Sequence, residues 1–204
     1  MTNLKPDYDH VISLIKPGRH VLDLGCGNGE LLERLIKEKN ATGLGVEIDE
    51  HNVLECIGRG LSIFQGNIDE GLNNYPDNSY DYVILNQTLQ VVHKPDYVLS
   101  EMLRVGNQII VSFPNFAYWQ IRLNLLFSGS MPKTKFLPFE WYNTPNIHLL
   151  SIKDFKNMCV RQKWTILEEI YIGSKTDIFS LGKLISPNLF AEEAIFLLTN
   201  KGRV

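Results

Sequence analysis

Cysteine is scarce in this 204-residue chain. Cys26, Cys56 and Cys159 are odd in number and far apart, with no C-x-x-C pair. A disulfide framework is therefore not expected, and the thiols read as reduced, as in a cytoplasmic protein. Histidine is dispersed too, at His10, His20, His51, His93 and His148. With no H-E-x-x-H and no Cys/His cluster, no metal site is expected. No G-x-S-x-G occurs, so the chain lacks a nucleophile elbow for acyl transfer. No apolar run approaches the length of a membrane span. The first residues lack a basic stretch followed by an apolar one, so no signal peptide is expected. Neither charge sign dominates: 20 Lys and Arg stand against 23 Asp and Glu, for a net charge of −3. Bulk attraction to nucleic acid or to acidic membranes is therefore not expected. Internal repeats and low-complexity segments are also missing.

What is present is a chain 44% hydrophobic and 21% charged, the composition of one globular α/β domain over residues 1–204. It is organised around His20 to Asp49. Val21-Leu22-Asp23-Leu24 is a short apolar strand that carries one acid. Gly25-Cys26-Gly27-Asn28-Gly29 follows, a turn that lets backbone approach a ligand closely because side chains are missing. Leu31, Leu32, Leu35 and Ile36 then recur at helical spacing. Gly43 to Ile48 is a second strand. It carries Glu47 about 20 residues past the glycines, the spacing at which a βαβ unit holds a nucleotide ribose.

The dinucleotide fingerprint is G-x-G-x-x-G, but this turn is G-x-G-x-G, with Glu30 where the third fingerprint glycine would stand. A pyrophosphate prefers a helix N-terminus free of negative charge, which weakens a NAD-dependent oxidoreductase reading. Asp23 and Glu30 suit a phosphate-free ligand with positive charge. S-adenosylmethionine, with its sulfonium and ammonium, is such a ligand. Val21 to Gly29 resembles the first motif of the class I S-adenosylmethionine-dependent methyltransferases. Gly45-Val46-Glu47-Ile48-Asp49 resembles their second-strand motif.

Further along, Tyr8, Val11, Ile12 and Ile15 share a helical face, with Asp7 as candidate N-cap. Asp49 can cap a helix through Cys56. Leu61 to Gln65 is a third strand, followed by Gly66-Asn67-Ile68-Asp69. The methyltransferases usually place an aspartate that faces the adenine amino group at the position of Asn67, whose side-chain carbonyl can also accept that bond. Tyr80 to Leu85 is a fourth strand with Asn86-Gln87 at its end, where the resemblance places the methionine end of the ligand. Gln90 stands where many small-molecule members carry histidine. A helix holds Tyr97, Leu99, Met102 and Leu103. Gly106-Asn107 reads as a short loop before a fifth strand, Gln108 to Phe113. The resemblance implies binding of S-adenosylmethionine or S-adenosylhomocysteine by Asp23, Gly25, Cys26, Gly27, Gly29, Glu47, Ile48, Asn67, Ile68 and Asn86. It implies a doubly wound, mostly parallel, seven-stranded Rossmann-like sheet with an antiparallel edge strand.

From Pro114 the pattern changes. Phe116 to Phe127 is apolar nearly all round one helix, which such a helix adopts when several sides are buried or a partner is awaited. Phe136 to His148 is rich in aromatics and proline without a period. Residues 114–150 thus read as a lid-like insertion after strand five. Ser151 and Asp154 form a capping box. Trp164 to Ile172 and Ala194 to Thr199 read as an antiparallel pair. Ile178 to Phe190 is an apolar loop punctuated by Gly and Pro.

The segments Asn86 to Gln90, Ser112 to Phe116 and Trp141 to His148 resemble the methionine-biosynthesis protein MetW family, and generic methyltransferases do not share them. That family is associated with homoserine O-acyltransferase. The resemblance therefore implies an accessory of that enzyme on a methyltransferase scaffold. The competing reading is a working methyltransferase on a small molecule, for which His148 and Tyr142 are the candidate bases.

Overall fold

The computed structural model describes residues 8–134, 137–173 and 186–200. Asp7, Phe136 and the stretch 178–185 lie outside them. The elements are α1 (Tyr8–Leu14), β1 (His20–Leu24), α2 (Glu30–Lys39), β2 (Thr42–Glu47), α3 (Glu50–Gly58), β3 (Ile63–Gln65) and β4 (Tyr80–Leu85). They continue with α4 (Pro95–Val105), β5 (Gly106–Pro114), α5 (Trp119–Ser128), α6 (Ile152–Gln162), β6 (Thr165–Ile172) and β7 (Glu193–Thr199). Two 3-10 turns, Ile68–Glu70 and Leu89–Val91, and a helical turn at Pro187–Phe190 lie between them.

All seven strands join one sheet in the order β3-β2-β1-β4-β5-β7-β6. The first five are parallel, while β7 runs antiparallel to both β5 and β6. This is the doubly wound fold the sequence implies, with the reversed strand set between β5 and the outermost strand β6. Leu24 registers with Val46 on one side and Leu85 on the other. The carboxyl ends of β1, β2 and β4 are therefore level where the strand order reverses, which is where open α/β sheets bind ligands.

Alternation along the strands builds two cores. Leu22, Leu24, Val83, Leu85, Ile109, Val111 and Phe113 face α4 and α6. Val21, Tyr82, Ile84 and Ile110 face α1 and α2. This period of two is what a sheet covered on both faces requires. Phe113 packs against Phe155 at 4.9 Å, and Phe155 against Phe196 at 4.7 Å, between ring centroids. Each such pair is worth about 0.5–1.5 kcal/mol beyond its area, and together they fasten α6 and β7 to β5.

Local signals set the helix ends. Asp49 Oδ1 accepts the Asn52 N–H at 3.0 Å. Ser151 and Asp154 form the reciprocal capping box on α6, and Pro95 opens α4. Several boundaries differ from the sequence reading, three of them element starts that move by more than one residue. β3 begins at Ile63, and α5 at Trp119. Gly106 and Asn107 form no loop: Gly106 is the first residue of β5, paired with Tyr80. A Cβ there would lie 2.6 Å from Val83 Cγ2, so only glycine lets α4 run straight into the sheet. Among the described residues, no helix is long and apolar enough to cross a membrane.

Candidate functional site

β1 ends in a turn whose three glycines all have positive φ: Gly25 at 65°, Gly27 at 54° and Gly29 at 79°. L side chains rarely adopt that region. Two bonds tie the turn to β2, as the N–H groups of Gly25 and Cys26 donate to Val46 O at 2.8 and 3.2 Å. Opposite stands Thr88. A Cβ on Gly25 would come 2.8 Å from Thr88 Cγ2 and 2.9 Å from its Oγ1.

Glu47, at the end of β2, is buried and occupied. Its Oε2 accepts the Gly27 N–H at 2.8 Å, and its Oε1 accepts the N–H groups of Ile48 and Asp49, each at 2.9 Å. A carboxylate offers about four lone-pair sites. Three are filled, so Glu47 as it stands can accept one further hydroxyl. Asp23 lies deeper, 1% exposed, and its Oδ2 is buried without a hydrogen-bond partner. Burial and then the Glu47 carboxylate raise its pKa to about 7. Beside it, burial, Asp23 and Glu30 push the Tyr8 phenol up to about 12. Burial also raises the Cys26 thiol, which leaves it a small packed side chain rather than a nucleophile.

The other wall follows β3 and β4. Asn67 Oδ1 accepts the Asp69 N–H at 3.0 Å and caps the first 3-10 turn. The Asp69 carboxylate then reaches across to accept the N–H groups of His93 and Lys94 at 2.9 and 3.0 Å. At the end of β4, Ser112 Oγ donates to Asn86 Oδ1 at 2.7 Å and accepts the Gln87 N–H at 2.9 Å. This holds Gln87 at φ 53°.

Between the walls is a cavity of about 380 Å³, lined by Gly25, Val46 to Ile48, Gly66 to Asp69, Thr88 and Val91 to His93. Of the residues that the sequence singles out, Gly25, Glu47, Ile48, Asn67 and Ile68 line it. Asp23, Cys26, Gly27, Gly29 and Asn86 do not line it. Gly27 reaches the site through Glu47, and Asn86 lies two residues before Thr88. Sequence reasoning passed over Thr88, Val91, Val92 and Asp69, and over His93, which is exposed and also lines the cavity. The apolar pair after strand four was the only signal for the two valines. Among the described residues, no group of three or more His, Cys, Asp or Glu could hold a metal ion.

Neither candidate base lines the cavity. Tyr142 is exposed. His148 is half-buried, and its Nε2 lacks a partner. Among the described residues of the segment after β5, none lines the cavity. Its Tyr118, Ile121 and Leu137 form a separate apolar cluster. It meets the second 3-10 turn at Gln90, beside the cavity-lining Thr88 and Val91, where the Gln90 carbonyl accepts the N–H groups of Ile147 and His148 at 2.9 and 3.1 Å.

Comparison with known proteins gives a family, two relatives and a fold. Residues 5–198 match the family described as "Methionine biosynthesis protein MetW". The chain is 36% identical over 213 residues to the "Bifunctional methionine biosynthesis protein MetXA/MetW" of Rhodopirellula baltica, covering 98% of this chain and 33% of that one. It is 35% identical to the "Ubiquinone/menaquinone biosynthesis C-methyltransferase UbiE" of Hydrogenovibrio crunogenus, over 50% of this chain and 45% of the relative. The chain thus spans a third to under half of these two relatives. A SAM-dependent methyltransferase from Archaeoglobus fulgidus superposes with a TM-score of 0.69 at 18% identity, over 93% of this chain and 90% of that one. That likeness concerns the fold.

Proposed function

This chain belongs to the methionine biosynthesis protein MetW family, and on that premise we propose that it binds S-adenosylmethionine or S-adenosylhomocysteine and serves methionine biosynthesis as an accessory of a homoserine O-acyltransferase. The observation that carries the partnership is the Rhodopirellula relative, whose name joins MetXA and MetW in one polypeptide.

The cavity suits the ligand. Glu47 keeps one acceptor site for a ribose hydroxyl. Ile48 is 63% exposed, an apolar surface for one face of adenine. The Asn67 side chain and the Ile68 backbone stand where an adenine edge would be read. Gly25 lets backbone come close, and the unpartnered Asp23 oxygen, buried behind the turn, favours the cationic methionine end through its field. When bound, S-adenosylmethionine carries a transferable methyl group on its sulfonium. The residues lining the cavity bind and orient such a ligand. Methyl transfer needs mainly that positioning, with a base only where the acceptor loses a proton.

The second reading, a methyltransferase on a small molecule, draws on the likeness to the Hydrogenovibrio C-methyltransferase. His93, which lines the cavity, is then a group able to take a proton. Size-exclusion chromatography of this chain mixed with the homoserine O-acyltransferase from the same organism tests the first reading. Co-elution is expected, with no acyl transfer by this chain alone. Separate elution with and without S-adenosylmethionine, together with methyl label passing from it to a product in cell extract, puts the second reading first.

A further inference from the structure

α5 turns little of itself inward. Ile121 is its one buried residue, packed toward Tyr118 and Leu137. Its end is bare: Leu126 is 72% exposed and Phe127 79%. Gly129 closes the helix at φ 64°, and Met131 enters a shallow groove with Leu137, Phe139, Trp141 and Leu149. At its rim Trp141 and Tyr142, exposed by 74% and 69%, pack edge to face at 5.6 Å. Single exposed apolar residues are ordinary, but a contiguous set marks an interaction site. Tryptophan and tyrosine are the side chains that anchor interfaces.

We propose that the homoserine O-acyltransferase docks on this face of α5 and residues 131–134 and 137–149, and that a ligand in the cavity tightens the docking. The proposal rests on the partnership read above and assigns it a surface. The occupant is argued from the Rhodopirellula relative, where the matching region is one third of a longer polypeptide. The domain joined to it is held nearby at high effective concentration, and a contact between the two domains buries a face of this kind. Glu140, the one charged residue among the described residues that line the groove, pairs with Lys133. The occupant that fits this lining is an apolar surface.

The coupling follows from one carbonyl. Gln90 O holds Ile147 and His148, and Gln90 sits in the 3-10 turn whose neighbours Thr88 and Val91 line the cavity. A ligand resting on Thr88 and Val91 fixes that turn, and with it the root of the aromatic segment. Docking then has less ordering left to do. The linkage is reciprocal, so the partner must tighten the ligand by the same factor.

Calorimetry with the full chain and the acyltransferase tests this, with and without saturating S-adenosylhomocysteine. Phe127→Asp and Trp141→Asp should each weaken the complex at least about tenfold, with circular dichroism and ligand affinity unchanged. Phe127→Leu should retain it. Saturating ligand should tighten the wild-type complex about fivefold or more. If both charged variants bind as wild type does, the surface is wrong while the partnership stands. No wild-type complex under any condition overturns both. A wild-type chain that is dimeric alone, and that Phe127→Asp splits, gives the face to a second copy and overturns the proposal. Equal affinity with and without ligand overturns the coupling.

Discussion

The Glu47 carboxylate accepts the N–H of Gly27 at 2.8 Å. An acid that lines the cavity is thus also the strut of the glycine turn. Glu47→Ala leaves the N–H groups of Gly27, Ile48 and Asp49 without their acceptor. We expect binding of S-adenosylhomocysteine to fall at least about thirtyfold and stability by roughly 1–3 kcal/mol. Calorimetry and urea unfolding read the two effects separately. A stability equal to wild type would show that the three bonds are idle.

Gly25→Ala should weaken ligand binding about tenfold or more, since its Cβ would meet Thr88 and its φ is positive. Thr88→Ala removes both close atoms. The double variant Gly25→Ala/Thr88→Ala should therefore recover part of the lost stability, and the residue of the deficit measures backbone strain alone. A double-mutant cycle by thermal unfolding supplies the comparison.

Asp23 gives a pH dependence of known sign. Its carboxyl is raised from 3.8 to about 7 by burial and by Glu47. Between those values the folded protein keeps a proton that the unfolded chain has released. Stability from this group is complete below about pH 4 and is lost as pH rises through about 7. Asp23→Asn should accordingly stabilise the ligand-free protein at about pH 8 by on the order of 1–3 kcal/mol, and by much less at about pH 4. Urea titrations at the two pH values decide it. Affinity for cationic S-adenosylmethionine should rise from about pH 6 to 8 in the wild type and stay flat in the variant.

Asp69→Ala should open the far wall. His93 and Lys94 lose the acceptor that holds their N–H groups. Amide exchange over residues 88–94 should quicken about tenfold or more, while the protected strands β1 and β4 keep their rates. Unchanged exchange over 88–94 would mean that the Asp69 bonds do not limit opening there.

The unit from His20 to Asp49 was legible because its signals are local: a strand, three glycines and an acid at fixed spacing. The double alternation of the sheet was legible for the same reason. The far wall was not, because its bonds join residues distant in the chain. Asp69 meets His93, and Gly25 meets Thr88, with no shared period to announce either pair. Composition marked residues 114–150 as lid-like, yet none of those described lines the cavity. Tyr118, Ile121 and Leu137 supply that segment with its own small core, which draws it aside. Aromatic composition signalled burial but not against what.

β5 has β4 on one side and β7 on the other, yet β7 follows it in the chain by about eighty residues. On the ribosome, β5 must therefore emerge and pair with β4 long before its second neighbour exists. Until residues 193–199 are made, Ile109, Ile110 and Val111 form an unpaired apolar edge, the kind of edge that recruits stray strands. Such long-range pairing also slows folding. The nascent chain has a defined interval of vulnerability, and synthesis stalled before residue 193 leaves it aggregation-prone.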